Sequence, residues 1–234
     1  MTITLYELSA ANRNVRFSPH CWKSRLALEH KQLSYETEAV WFTEKDKIAL
    51  SNQPLLPMMT DTDAKGTLII NDSWKIALYL DKKYPDAPSL FADDNVQEKA
   101  DVMNQWVDTE LAQFIRPAIL MDIFALIAKQ DRDYFRSSRE AKIGCSLEEF
   151  SANPEQKVVQ MGQALEPIRI TLNEQPYLGG TEPDYRDICL LSTFLWVACV
   201  SKIEFLAKKD VIYRWYQHML NHYKAVIPAE LVAT

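Results

Sequence analysis

Two hydrophobic rhythms run along this chain, and the change between them divides it. Near the start, "TITLYEL", "SYETEAV" and "TLIIND" are short runs of β-branched and aromatic residues, and "LLPMMTD" opens a further strand-like run at Pro57. Helical stretches lie between them, which is the β-α-β grammar of a small α/β sheet. After "KKYPDAPSLFADDN", rich in Pro, Asp and Ala, the strand signals cease. Met103, Val107, Leu111, Phe114, Ala118 and Met121 then recur at spacings of three and four, as do Val158, Met161, Leu165, Ile168 and Leu172. These are the apolar stripes of amphipathic helices. The pattern predicts an α/β domain over residues 1–84, a linker over 85–95 and an all-helical domain over 96–234.

Two details refine the helical half. Pro117 falls inside the first stripe, where its missing N–H and its ring predict a bend or an interruption. The segment "DRDYFRSSREAKIGCSLEEFSANPE" is polar and poorly periodic and predicts a loop-rich connection. The most apolar stretch, "ICLLSTFLWVACVSKI", is shorter than the ~20 residues of a membrane span and contains hydroxyls, so it predicts a buried core helix.

Composition excludes several function classes. With 47% hydrophobic residues in 234, the chain can bury a sizeable core. Its 26 basic and 32 acidic residues leave a formal charge of −6 without the Lys/Arg block that follows a nucleic-acid backbone. The four cysteines have no disulfide or zinc spacing, and the N-terminus lacks a basic segment followed by an apolar run, so a cytoplasmic location fits. His218 and His222 are four apart but no third ligand is evident, and no metal is expected.

The candidate chemistry begins at "RFSPHCWKSRLALEHK". Ser18 before Pro19 reads as an N-cap followed by the first helical position, because proline has no N–H to lose there and its φ is already set. A helix N-terminus carries about half a positive charge and stabilises an anion such as a thiolate. In a C-x-x-C redox helix a thiol leads; here a hydroxyl leads and Cys21 sits one turn inward, which disfavours dithiol exchange. Taken alone, Ser18 reads as a cap and Cys21 as a small buried side chain.

Further pieces, in order, change that reading. "SPHCWKSRLALEHK", "LLPMMTD" and "NDSWKIALYLDKKYP" together resemble the N-terminal thioredoxin-like domain of the glutathione S-transferase family. "YLGGTEPDYRDICLL" resembles the family's C-terminal helix start, with Asp184 as N-cap and Asp187 as its capping-box partner. "FSPHCWKSRLALEHK" and "DRDYFRSSRE" look most like the bacterial β-etherase-like branch and related fungal transferases. The resemblance implies that Pro57 is cis and that the backbone of Leu56 pairs with the cysteinyl part of glutathione. It implies that Asp72 faces the γ-glutamyl ammonium, that Ser73 with the helix N–H groups faces its carboxylate, and that Ser18 donates to the sulfur. Leu55 stands where many relatives carry a residue for the glycyl carboxylate; Gln53, Lys45 and Lys47 are the candidate substitutes. Asn12, Asn14 and Arg16 are candidates to overhang the thiol.

The resulting expectation is a homodimeric detoxification enzyme that uses glutathione as co-substrate against a hydrophobic electrophile, an aryl ether among the candidates. The alternatives are a glutathione-dependent thiol reductase using Cys21 and a non-catalytic binding module on the same fold.

Overall fold

The computed structural model describes residues 2–232. Strand β1 (Thr2–Leu8) pairs in parallel with β2 (Glu36–Val40) and antiparallel with β3 (Met58–Asp63), which pairs antiparallel with β4 (Gly66–Asn71). The sheet order is β2-β1-β3-β4, so β1 is interior. Its period-two pattern buries Ile3, Leu5 and Glu7. The two leucine-type positions face the core, while the Glu7 carboxylate pairs with the guanidinium of Arg25, with Arg16 Nε at 3.5 Å. A buried carboxylate needs such partners to remain ionised.

Helix α1 (Pro19–His30) and helix α2 (Ser73–Lys83) pack together beside this sheet and complete the thioredoxin-like domain. From Asp94 on, every regular element is helical: α3 (Asp94–Trp106), α4 (Ala112–Leu126), α5 (Arg132–Ile143), α6 (Leu147–Phe150), α7 (Pro154–Ala164), α8 (Glu166–Glu174), α9 (Tyr185–Val200), α10 (Val211–His222) and α11 (Ala229–Val232). The starts of α3 and α10 have a chemical reason. Asp93 accepts from Val96 N–H at 2.8 Å at the head of α3, and Asp210 accepts from Ile212 N–H at 3.0 Å at the head of α10. Helix α9 is the predicted core helix, buried on nearly every face and packed on α1, α3 and α4. Among the described residues no helix is long and apolar enough to cross a membrane.

The head of α9 carries the predicted capping box. Asp184 accepts from Arg186 N–H at 2.8 Å, and Asp187 Oδ2 accepts from Asp184 N–H at 3.2 Å. Asp187 is fully buried and takes three more donors: Leu178 N–H, Gly179 N–H, both at 2.8 Å, and Trp215 Nε1 at 2.7 Å. One carboxylate therefore ties the 178–179 loop, the start of α9 and the middle of α10. Burial pushes the Asp187 carboxyl up to about 6, against the opposing pull of these donors. Gly179 is required by close approach, since a Cβ there would lie 2.3 Å from the Glu182 carbonyl.

Two expectations are corrected. The polar segment after Gln130 is not loop-rich: it forms α5 and α6, separated by Gly144 in the left-handed region (φ 79°). Its helical stripe runs Phe135, Arg139, Ile143, and a guanidinium in the middle hides the apolar period. Pro117 does not interrupt its helix either. It lies within α4, and the irregularity falls before it, at Val107–Leu111, which forms a π turn joining α3 to α4. There Ala112 N–H reaches back to Val107 O, and Arg116 Nη2 donates to the Asp108 carbonyl at 2.8 Å. A proline costs a helix one hydrogen bond, and side chains can hold the turn around it.

Candidate active site

The topology gathers the predicted residues at one end of the sheet. Met58 pairs with Tyr6 near the end of β1 and with Asn71 at the end of β4. The chain leaving β1 leads to Ser18, the chain entering β3 passes Leu56–Pro57, and the chain leaving β4 is Asp72–Ser73. Three connections thus leave the same end of the sheet although they are far apart in sequence, but Leu56, Pro57, Asp72 and Ser73 do not line the cleft that Ser18 lines.

Ser18 caps α1 with extended backbone (φ −65°, ψ 126°), and its carbonyl accepts from Trp22 N–H at 3.0 Å. Its side chain makes no capping hydrogen bond. The hydroxyl therefore does not cap the α1 backbone, though it lies within hydrogen-bonding reach of the Cys21 thiol, and Ser18 lines a cleft of about 610 Å³ between the two domains. Cys21 is placed differently: it is fully buried, its sulfur accepts from Leu8 N–H at 3.4 Å, and it does not line the cleft. Burial, with the Glu7 charge behind it, pushes the Cys21 thiol up to about 12. Such a thiol is protonated at neutral pH and a poor nucleophile.

The Leu56–Pro57 peptide is cis. Asp72 has φ 74° and ψ 132°, an uncommon conformation for a residue with a side chain. Its Oδ1 accepts from Trp74 N–H at 3.0 Å and Lys75 N–H at 3.1 Å, so half of this carboxylate caps α2. Ser73 is buried, and its carbonyl accepts from Tyr185 Oη at 3.3 Å, tying the start of α2 to α9.

The candidates for the glycyl end separate. Lys47 is neutralised by Glu38 at 2.6 Å and Glu44 at 3.7 Å. Gln53 folds its Nε2 back to the Leu55 carbonyl at 3.4 Å. Lys45 Nζ reaches the Pro54 carbonyl at 2.7 Å, beside the cis peptide, and burial lowers its pKa. Asn12, Asn14 and Arg16 do not overhang Ser18; they line a separate cleft with Trp22, Cys199 and Ile227. The reason is the buried Glu7 carboxylate, which draws Arg16 inward.

The helical domain supplies the opposite wall. Val107, Leu120, Ile123, Phe150 and Trp196 give it apolar surface, facing Phe17 of the thioredoxin-like domain. Asp108, in the π turn, accepts from Lys23 Nζ at 2.7 Å, and Lys23, fully buried on α1, also donates to Asn104 Oδ1 at 2.7 Å. His20 Nδ1 lies 3.7 Å from the other Asp108 oxygen; packing around the ring, then Lys23, lowers its pKa and keeps it neutral. Asp131, buried at the head of α5, accepts from Phe42 N–H at 2.9 Å and Thr43 N–H at 3.0 Å and so fixes Phe42 against the cleft. Sequence reasoning missed Lys23, Asp108 and Arg139. Only the four-residue spacing of Phe135, Arg139 and Ile143 could have flagged Arg139. Among the described residues no group of His, Cys, Asp and Glu is placed to hold a metal ion.

A hydroxyl at a helix N-terminus, facing an interdomain cleft with apolar walls, is an arrangement for holding an anion beside an apolar molecule. Residues 17–83 match the glutathione S-transferase N-terminal domain and residues 100–223 match the glutathione S-transferase C-terminal domain. The chain belongs to the glutathione S-transferase family. Glutathione S-transferase Z1 of Arabidopsis thaliana is 39% identical over 67 residues, an alignment that spans 28% of this chain and only 30% of that protein. The fold is similar to that of the Ceriporiopsis subvermispora glutathione S-transferase CsGST63524, solved with glutathione: TM-score 0.78, 22% identity, 98% of this chain and 100% of that one covered. It is similar also to glutathione transferase GSTFuA3 of Phanerochaete chrysosporium, with TM-score 0.76, 22% identity, and 100% and 95% covered.

Proposed function

We propose that this chain is a glutathione transferase in which the thioredoxin-like domain (1–84) binds and ionises glutathione and the helical domain (96–234) walls the site of a hydrophobic electrophile. The thiolate attacks the electrophilic carbon, a C–S bond forms, and the leaving group departs with its electron pair. The observation that carries this reading is the Ser18 hydroxyl, free of any capping bond to the α1 backbone and placed on the interdomain cleft. Catalysis then comes from thiolate stabilisation and proximity, without a separate general base. In the same reading the Leu56 backbone pairs with the cysteinyl residue, Ser73 meets the γ-glutamyl carboxylate and Lys45 meets the glycyl carboxylate. Turnover of aryl halides, epoxides, aryl ethers and disulfides, measured side by side, tests it; activity confined to disulfides would replace it with the thiol-reductase reading. Aryl ethers are the electrophiles to which the β-etherase-like resemblance points, and detoxification in the cytoplasm is the role that follows. Against the reductase stands the burial of Cys21.

Asp72 divides its carboxylate in this proposal: Oδ1 caps α2 and Oδ2 meets the γ-glutamyl ammonium. Asp72→Asn keeps a cap-competent oxygen but loses the charge, so glutathione affinity falls by about 1.5–3 kcal/mol while the melting temperature holds. Asp72→Ala loses the cap as well, at about 1 kcal/mol of fold stability. Titration calorimetry and thermal melts read the two effects separately, and equal glutathione affinity in wild type and Asp72→Asn would remove Asp72 from the site.

A homodimer is also proposed. Val102 on α3 is 68% exposed and Leu68 on the edge strand β4 is 55% exposed, and burying such residues against a second copy is the usual way to cover them. Light scattering across micromolar concentrations is expected to give twice the chain mass; a constant monomer mass would overturn the dimer.

A further inference from the structure

The cleft beside Ser18 is apolar in its walls but not neutral in its charge. Its lining carries three cationic side chains, Arg116, Arg139 and Lys142, against the single carboxylate of Asp108. Asp108 is already engaged by the buried Lys23 at 2.7 Å. The excess positive charge therefore belongs to the open cleft and is not consumed inside it.

Arg139 is the most confined of the three. Its guanidinium carbon lies 4.6 Å from the Phe135 ring centroid and 4.9 Å from that of Phe42, Nη1 donates to Ser138 Oγ at 2.9 Å, and the guanidinium also reaches the Tyr134 hydroxyl. No carboxylate lies within ion-pairing distance of it among the described residues, whereas Arg136, one turn earlier on α5, pairs with Glu140 at 2.8 Å and Glu148 at 2.7 Å. Burial lowers the Arg139 pKa, which reports the cost of holding a half-buried cation without a counter-ion. Two aromatic faces offset part of that cost and fix the guanidinium plane, leaving its remaining N–H donors for an oxyanion.

We propose that the electrophile this cleft accepts is an aromatic or similarly apolar molecule bearing a carboxylate or sulfonate, and that Arg139 pairs with that group while Leu120, Ile123 and Trp196 pack on the apolar body. The inference rests on the transferase reading, but its test does not need turnover. The probes are naphthalene-2-carboxylate and naphthalene-2-carboxamide, unreactive and nearly equal in shape, titrated calorimetrically into the full chain. Wild type is expected to bind the carboxylate about tenfold or more tighter than the carboxamide, as a charge-assisted pair in a partly desolvated site requires. Arg139→Gln is expected to erase that preference while leaving carboxamide affinity in place.

Glutathione also carries carboxylates, so it is titrated into the same two proteins. Unchanged glutathione affinity in Arg139→Gln assigns the guanidinium to the electrophile, and a loss of tenfold or more would assign it to glutathione and overturn the proposal. Equal binding of acid and amide by wild type overturns it without any variant, even if Arg139→Gln fails to fold. A carboxylate preference that survives Arg139→Gln overturns it too. If wild type binds no glutathione yet prefers the naphthoate, the transferase reading fails and the anion site stands.

Discussion

Ser18→Ala is expected to slow glutathione conjugation by about 10²–10³ if the hydroxyl is the main donor to the thiolate. The geometry sets the sign. Because the Ser18 side chain makes no capping bond to the α1 backbone and touches the helix only at the Cys21 thiol, its removal costs the helix little, and the loss falls on the anion in the cleft. Backbone N–H groups at the start of α1 share the load in proportion to how close the sulfur sits to them, and each share they take reduces the factor. Cys21→Ala supplies the contrast. Its sulfur is buried behind β1 with its thiol up at about 12, so conjugation is expected to stay within a factor of about two of wild type. Steady-state kcat/KM against pH for both variants, with circular dichroism to confirm folding, decides the matter. A twofold or smaller effect at Ser18 would leave it a helix cap, and abolition at Cys21 would transfer the chemistry to thiol exchange.

The largest effect on folding is expected at Asp187. Asp187→Ala strands four donors, the N–H groups of Leu178, Gly179 and Asp184 and the Trp215 indole, of which Leu178 and Trp215 are buried and Gly179 and Asp184 half-buried. At about 1–3 kcal/mol for each of the two buried groups left unpaired, with less for the half-buried pair, the sum is at least about 2–6 kcal/mol, a large part of the 5–15 kcal/mol that holds a typical domain. Asp184→Ala, which removes the N-cap oxygens but leaves the Asp187 cage, is expected to cost only about 1–2 kcal/mol. Urea denaturation of the two variants measures the gap. Comparable losses would mean that the cage around Asp187 is no more than an ordinary cap.

Much of this was legible in the chain itself. Three strands lie where β-branched and aromatic runs predict them and β3 follows the strand-like run opened at Pro57, while only β1 carries a clear period of two. The Ser18-Pro19 start of α1 and the Asp184–Asp187 box were legible because capping depends on a few residue types at fixed spacing. What escaped was decided by tertiary partners. Helix α5 was hidden because Arg139 occupies a stripe position that a solvent-facing charge would not, and only the aromatic rings of Phe42 and Phe135 make that tolerable. The segment "VDTEL" contains no Gly or Pro to announce a π turn. Lys47 looked as available as Lys45 until Glu38 and Glu44 were seen to claim it. Arg16 pointed toward the thiol in sequence and away from it in space, since a buried glutamate outweighs a loop's proximity.

The π turn at Val107–Leu111 also makes the cleft a matter of counting. An α-helix advances about 100° of azimuth per residue, so one surplus residue in a turn resets the phase of everything after it. Upstream of the turn, α3 packs on α9; downstream, α4 turns Arg116, Leu120 and Ile123 to the cleft and packs its other side on α7. A chain one residue shorter between Asn104 and Ala112 would keep every one of those side chains and return the helix to constant pitch. They would then point about 100° away, with Lys23 facing a different residue in place of Asp108. The identity of the wall is thus stored in chain length as much as in residue type, and variation that respects composition but not count would dismantle it.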